Sequence, residues 1–521
     1  MPLVSDQLRY LAEDHPDAVG YRVIGRGELT NAQWSAQASR VARGLLERGL
    51  ARHGRVALAL EPADALENLA AYMGVHKAGG ATVPTNIRLS PDELRVIFDT
   101  AEPTVVIASA SLLDRLAPAI AVTDSLVHVV VVGDAADAEA ARERVAGAAN
   151  VVAWDDFLAD DDSDLQVDLS DDDVADILFT SGTTGRPKGV VARHNRATSV
   201  EIGRTENHTG LLWLHASPLF TFAGVSFITV PLRLGMTGLY LPRFDAGSWL
   251  EIVERDPVVM GFLVPSMVEL MIQHDDFGTR DLSGLMMAAI GSAPIAPATL
   301  RRFHGALPNA TVSNSYSMTE AGQAYCVMPP EEFHRREGSV GLPVPPLEIR
   351  ILDEEGIEVG PDEVGEIELR NAGKQREYWN NPEATAEAWT EDGWLRTGDL
   401  GRRDADGFLY IMGRKKDVII RGGNNIHAKD IEDVLYTMPG VQEAAVVGIP
   451  HQVLGEDVAA AIVPAPDATL TPDDVLAFVA DKLADYKVPR RVAIVAQLPR
   501  NPMGKVLKHV LSAQLAPTDD A

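Results

Sequence analysis

Helix-period and strand-period segments alternate along the first part of this chain, and that alternation restricts it to layered α/β architectures more tightly than any other feature. From Asn31 to about Leu50 the apolar residues Trp34, Ala38, Val41 and Leu45 recur at helical spacing, and Arg55 to Leu60 then reads as a short buried strand. Strand-like runs follow at Thr104 to Ala108 and Val127 to Val132, with helical patterns between them. The stretch Asp155 to Asp173 is crowded with Asp and has no sustained period, so it is expected to be a solvated connection.

The texture changes after Gly413. Asp417 to Ile420 reads as a strand, Ile431, Val434, Leu435 and Met438 share one helix face, and Ala444 to Val447 and Val458 to Val463 read as further strands. A helix is expected from about Thr471, with Val475, Phe478, Val479 and Leu483 on one side. A chain of 521 residues exceeds what one hydrophobic core serves. The expectation is therefore a large N-terminal α/β domain of layered subdomains over residues 1–412, and a small α+β domain over residues 413–521, with the boundary near Met412 to Lys416.

Charge narrows the partners. Lys plus Arg number 46 and Asp plus Glu number 75, a net charge of −29 that repels nucleic acid and anionic lipid surfaces. It also repels nucleotides, so a nucleotide site here needs backbone N–H groups, a few cations and a metal. The single cysteine, Cys326, excludes an intrachain disulfide and is expected to be a small apolar filler. The N-terminus lacks a basic and then apolar leader, and no apolar run approaches the length of a membrane span. A cytoplasmic enzyme with no membrane span is expected, and a homodimer remains open as an assembly.

One segment meets the demand for a phosphate site. DILFTSGTTGRPKG, from Asp176 to Gly189, is a strand running into a loop with Thr180, Ser181, Gly182, Thr183, Thr184 and Gly185, closed by Lys188. Such a loop offers backbone donors, hydroxyls and a movable cation to a polyphosphate. It departs from the G-x-x-x-x-G-K-[ST] spacing, because Lys188 follows a proline and precedes a glycine.

Here the sequence resembles the adenylate-forming superfamily of acyl- and aryl-CoA synthetases, non-ribosomal peptide adenylation domains and beetle luciferases. Five motifs follow in that family's order along nearly the whole chain. The loop Thr180 to Gly189 is the first, and by resemblance it closes over the β- and γ-phosphates. The second, Tyr316-Ser317-Met318-Thr319-Glu320, is similar to Y-G-x-T-E, which implies an aromatic ring by the adenine, Thr319 at the phosphate and Glu320 on Mg²⁺. A lone carboxylate plus phosphate oxygens suits that hard cation; taken alone, Glu320 reads as a solvated acid. The third, Trp394 to Gly401, places Asp399 where the family binds the ribose, and a carboxylate can accept from both vicinal hydroxyls. The fourth, Gly413 to Ile426, implies Arg414 on the ribose, Lys416 at a hinge, and Gly422 and Gly423 on the side of the second substrate. The fifth, Asn501 to Lys505, makes Lys505 the lysine that enters the site during adenylation.

The resemblance thus implies an ATP-dependent carboxylic acid–CoA ligase working through an acyl adenylate, with Lys505, Thr184, Lys188 and Glu320 as its catalytic groups. ATP, Mg²⁺, a small carboxylic acid and CoA are its expected ligands. Candidate acid-pocket residues are Phe220, Thr221, Phe222, Gly291, Ser292, Ala293, Pro294 and Met318, a mostly apolar set. Some positions depart from the family. Thr221 stands where many acyl-CoA synthetases carry a histidine, Ser317 replaces a glycine, and Ile426 to Glu432 replaces I-x-P-x-E-I-E. No Asp occupies the place that amino-acid-activating domains use for an ammonium group. An amide-forming ligase passing the acyl group to an amine stays open, as does a non-catalytic nucleotide-binding regulator.

Overall fold

The computed structural model describes residues 3–145, 147, 149–180, 187–194, 203–322, 326–371, 375–466, 468–500 and 505–516. Two seven-stranded sheets dominate the N-terminal part, each with six parallel strands and one antiparallel edge strand. The first runs in the order Asn150–Ala153, His128–Val132, Val105–Ser109, Arg55–Ala59, Ala81–Pro84, Val174–Thr180 and Lys188–Arg193. The second runs Thr311–Asn314, Met287–Ile290, Val258–Leu263, His208–His215, Met236–Tyr240, Val19–Val23 and Gly27–Thr30. Near-continuous apolar strands such as His128–Val132 fit this arrangement, since parallel strands are covered on both faces.

Helices Asn31–Glu47 and Ala65–Lys77 lie in the core that joins the two sheets, together with Val56 and Leu58 of the first and Tyr21 and Tyr240 of the second. The Asn31 helix starts where its local chemistry dictates. The Thr30 hydroxyl accepts from Gln33 N–H and the Gln33 side chain returns to the Thr30 N–H, a capping box. Trp34, Ala38, Val41 and Leu45 are all fully buried, as their spacing predicts, and Trp34 Nε1 donates to the Leu69 carbonyl. The helix ends at Glu47, three residues short of the expected limit. The Asp-rich connection begins differently from its expectation: Trp154–Phe157 forms a helical turn and Phe157 is buried, before the chain turns largely exposed from Asp160.

A six-stranded sheet follows, in the order Cys326–Val327, Ser339–Pro343, Leu409–Arg414, Leu395–Arg403, Gly365–Asn371 and Leu347–Leu352. Cys326 is buried there, and burial pushes its thiol pKa up to about 12, so it is a packed, unreactive side chain. The chain leaves this sheet at Arg414, makes the single turn Lys415–Asp417, and enters a separate five-stranded sheet at Val418. That smaller C-terminal domain has its own cores, one formed by Ile431, Leu435, Val446, Val458 and Val475. Its helix Pro472–Ala480 is capped by Thr471 with Asp474, and Met438 is buried just beyond the helix Ala428–Leu435. No helix among the described residues is long and apolar enough to cross a membrane.

Candidate active site

In open parallel sheets the carboxyl ends of the strands carry the ligand crevice, because the loops there can vary without disturbing the core. Four expected segments leave such ends: the phosphate loop after Thr180, Gly291 and Ser292 after Ile290, Tyr316 to Glu320 after Asn314, and the Pro218 to Phe222 turn after His215.

Thr180 and Lys188 stand opposite each other at the end of an antiparallel pair. Lys188 therefore begins an antiparallel strand rather than a helix, which is the structural reason the segment differs from a P-loop. Ser181, Gly182, Thr183, Thr184 and Gly185 lie outside the described residues. Gly189 is required for close approach, since a Cβ there would come within 2.8 Å of Ile177. Behind the pair, the buried Asp176 carboxylate accepts from Thr82 Oγ1 at 2.5 Å and Tyr72 Oη at 3.2 Å, with His76 Nε2 at 3.2 Å. Burial alone would raise its pKa, but hydrogen bonds from His76 and Thr82 and the nearby histidines hold it below the ordinary carboxylate value. Asp176 thus anchors the strand that presents Thr180.

The Asp399 motif sits on the strand Leu395–Arg403, directly opposite Arg414 on the neighbouring strand. Arg414 Nε reaches Asp399 Oδ1 at 2.7 Å, and Tyr316 Oη donates to Asp399 Oδ2 at 2.7 Å. Thr397 Oγ1 accepts the Asp399 N–H at 3.0 Å and donates to the Ile367 carbonyl, fixing the turn. Burial raises the pKa of Asp399, against the opposing pull of Arg414 and Tyr316. Burial first, then the Asp399 charge, pushes the Tyr316 phenol well above its usual value, so it stays a donor.

Lys505 comes from the other domain. Its pKa is lowered by the protein packed around it and by Arg414 and Lys416, and raised in part by Asp399 and Asp417. Lys505 itself is exposed, within electrostatic range of those four charges. Tyr316, Asp399 and Arg414 thus meet in space although they lie up to 98 positions apart in sequence, and Lys505 lies within electrostatic range of Asp399 and Arg414. Asn501 to Gly504 lie outside the described residues. Lys416 is exposed in the turn between the two sheets, and Gly422 and Gly423 form the exposed, positive-φ turn of the hairpin Val418–His427. Those two glycines are not among the side chains gathered around Asp399.

Glu320 is half-buried. Its Oε1 accepts from Tyr378 Oη at 2.9 Å, and Lys188 Nζ lies 5.0 Å from the centroid of the Tyr378 ring. The Thr319 carbonyl accepts from Arg376 Nη1 at 3.0 Å. Arg376 is fully buried beside the Phe222 ring, and burial drops its pKa to about 10. Neither Arg376 nor Tyr378 is among the residues expected from the sequence; their segment reaches the site by pairing with the strand Lys188–Arg193.

The acid-pocket candidates divide. Gly291 lies against the Phe262 ring, and Ser292 adopts φ 71°, a conformation that costs a non-glycine residue about 1 kcal/mol or more and recurs at ligand sites. Ala293 is half-buried and Pro294 exposed beside it, and Met318 bridges Gly322. Phe220 packs on the core of the first sheet. Thr221 is a helix N-cap: its Oγ1 accepts from Gly224 N–H at 2.9 Å and donates to the Pro218 carbonyl at 2.9 Å. A Cβ at Gly224 would lie 2.0 Å from that same carbonyl, so the turn needs glycine there. Its hydroxyl is engaged with backbone on both sides.

Residues 8–379 match the AMP-binding enzyme family, and residues 430–505 match the AMP-binding enzyme C-terminal domain. The chain belongs to that family. It is 32% identical over 505 residues to the long-chain-fatty-acid–CoA ligase FadD13 of Mycobacterium tuberculosis, covering 94% of each chain. Its fold is similar to that of ATP-bound MatB from Rhodopseudomonas palustris, with a TM-score of 0.84, 30% identity, and 98% and 99% of the two chains covered. The amide bond synthetase McbA from Marinactinospora thermotolerans matches with a TM-score of 0.83 at 27% identity, over 98% and 100% of the chains. The chain is therefore an enzyme of the adenylate-forming acyl-CoA ligase family.

Proposed function

We propose that this enzyme joins a carboxylic acid to CoA at the expense of ATP, through an acyl adenylate, with AMP and pyrophosphate as products. The observation that carries the reading is the meeting of Tyr316, Asp399 and Arg414, with Lys505 within electrostatic range of that group and with Glu320 and Lys188 both against Tyr378.

The chemistry follows from those groups. Asp399, held by Arg414, accepts from the ribose hydroxyls, and Tyr316 lies beside the adenine. Lys188 and the loop Thr180 to Gly185 hold the β- and γ-phosphates. Glu320 suits Mg²⁺ as a hard oxygen donor, in a site where the substrate phosphates would supply most of the other ligand oxygens. When bound, that ion neutralises charge on the departing pyrophosphate. The acid's carboxylate attacks the α-phosphorus in line, and Lys505 stabilises charge on the oxygens of that centre. The acid rests in the apolar pocket near Phe222, Gly291, Ser292, Ala293 and Met318.

Attack on the mixed anhydride then needs Lys505 out of the way. A rotation of the C-terminal domain about Lys416 would withdraw it and bring Gly422 and Gly423 toward the crevice, where a chain without side chains lets the second substrate pass. The CoA ligase relative supports CoA as that substrate. The fold shared with an amide bond synthetase, and Thr221 in place of the family's usual histidine, favour an amine as the second reading.

AMP release from ATP, measured across a panel of carboxylic acids with CoA, with amines or with neither, tests the proposal. CoA-dependent AMP production is the expected result. Turnover that needs an amine instead replaces the acceptor, and no turnover with any acid leaves a nucleotide-binding regulator.

A further inference from the structure

The phosphate-loop lysine and the carboxylate of the Tyr316 motif approach the same tyrosine from two sides. Tyr378 Oη donates to Glu320 Oε1 at 2.9 Å, while Lys188 Nζ sits over the face of the ring, 5.0 Å from its centroid. Both distances fall within the reach of a hydrogen bond and of a cation–π contact.

The tyrosine is held firmly. Its N–H donates to Thr385 Oγ1 at 3.0 Å, and it bridges Val190 across the edge of the first sheet. On either side, Val191 N–H donates to the Glu377 carbonyl at 2.9 Å and Trp379 N–H donates to the Gly189 carbonyl at 2.7 Å. The segment is thus an extra extended stretch on the strand Lys188–Arg193, and that pairing brings the Tyr378 ring beside Lys188. Residues two apart on an extended segment share a face. Arg376, two residues earlier, accordingly grips the Thr319 carbonyl at 3.0 Å, so one face of the segment holds both Thr319 and Glu320.

We propose that Tyr378 is a positioning residue for the nucleotide: it stands between Lys188 and Glu320, keeps them from pairing with each other, and orients Glu320 toward the metal that accompanies ATP. An ammonium and a carboxylate in one crevice attract each other, and a pair once formed must be broken before a phosphate or a metal can enter. Tyr378 replaces that pair with one uncharged partner for both groups, so a phosphate can take up Lys188 and a metal can reach Glu320 without an ion pair being broken first. Its hydroxyl takes one oxygen of Glu320, Oε1, so the cation would be met by the other. Hydrogen bonds of this kind to a metal-binding carboxylate typically change affinity 10- to 100-fold. Burial, followed by the Glu320 charge, raises the Tyr378 pKa, so the phenol remains a donor across the working pH range.

This inference rests on the ATP reading above, and calorimetry separates the two. Wild type, Tyr378→Phe and Tyr378→Leu are titrated with ATP in EDTA and with ATP in excess Mg²⁺. Tyr378→Phe keeps the ring under Lys188 and removes the donor to Glu320. It should bind metal-free ATP like wild type but bind Mg·ATP about 10-fold more weakly, and raising Mg²⁺ should restore its rate of AMP release. Tyr378→Leu should lose affinity for both forms. Wild-type behaviour of Tyr378→Phe in both titrations overturns the proposal, as does an equal loss in both, which a merely structural role would give. If Tyr378→Leu fails to fold, Tyr378→Phe decides alone. Wild type that binds ATP in neither condition overturns the nucleotide reading, and this inference with it.

Discussion

Asp399→Asn isolates the proposed ribose contact, because it preserves shape while removing charge. In the structure the carboxylate accepts from Tyr316 Oη and pairs with Arg414, both at 2.7 Å. A hydrogen bond to a charged acceptor contributes about 1.5–3 kcal/mol, against about 0.5–1.5 kcal/mol for a neutral one, so each ribose hydroxyl should lose about 1–1.5 kcal/mol. Two hydroxyls give about 2–3 kcal/mol, a roughly 30- to 150-fold loss in ATP affinity. The fold should suffer less. The Arg414 side chain is 29% exposed, so water compensates part of its lost partner, and a cost of about 1 kcal/mol is expected. With an unfolding entropy of about 2 cal/mol/K per residue, an N-terminal part of about 400 residues should melt only about 1 °C lower. The decisive assay is a cycle of wild type and Asp399→Asn against ATP and 2′-deoxy-ATP by calorimetry. If Asp399 binds the ribose, losing the 2′-hydroxyl should cost the variant about 1 kcal/mol less than wild type. Additivity to within about 0.5 kcal/mol, or ATP affinity within threefold of wild type, would refute the assignment.

Lys505→Ala should slow adenylate formation by at least about 100-fold, the usual cost of losing one aimed charge, yet spare thioester formation from supplied acyl adenylate; equal loss in both half-reactions would sink the two-conformation scheme. Thr221→Val should cost about 1 kcal/mol through the lost N-cap and leave the KM for the acid unchanged, whereas a shift in acid preference would return Thr221 to the pocket. His215 is buried with its Nε2 2.6 Å from Tyr21 Oη, and burial drops its pKa to about 3. The unfolded chain therefore binds the extra proton first. Stability from this group is complete above a pH of about 6.5 and falls toward pH 3 by up to about 1.4 kcal/mol per pH unit. Urea unfolding at pH 7.5 and 5.5 should show a flatter dependence in His215→Asn, and an unchanged slope would disprove the link.

Short-range chemistry was legible in the chain. The helix carrying Trp34, Ala38, Val41 and Leu45, the strand from Val458, and the Thr471 cap depend on neighbours within a few positions, where backbone sterics and capping act. The segment Thr180 to Gly189 and the residues Tyr316, Glu320, Asp399, Arg414 and Lys505 were picked out because their five motifs follow in one family's order; taken alone, Glu320 reads as a solvated acid. The antiparallel setting of that segment was not legible, since only pairing between Thr180 and Lys188 establishes it. Nor was the work of Thr221, whose hydroxyl is divided between the Gly224 N–H and the Pro218 carbonyl by the angle at which that turn meets its helix.

The alternation of helix and strand patterns and the identity of the motifs were thus determined by the sequence itself, because both are local. Tertiary structure alone decided the meeting of Tyr316 with Asp399, 83 positions apart, the anchoring of Asp176 by Tyr72, His76 and Thr82, and the placing of Tyr378 between Lys188 and Glu320. Those contacts depend on how whole sheets pack and pair. No residue's own neighbours along the chain encode which distant strand will lie beside it.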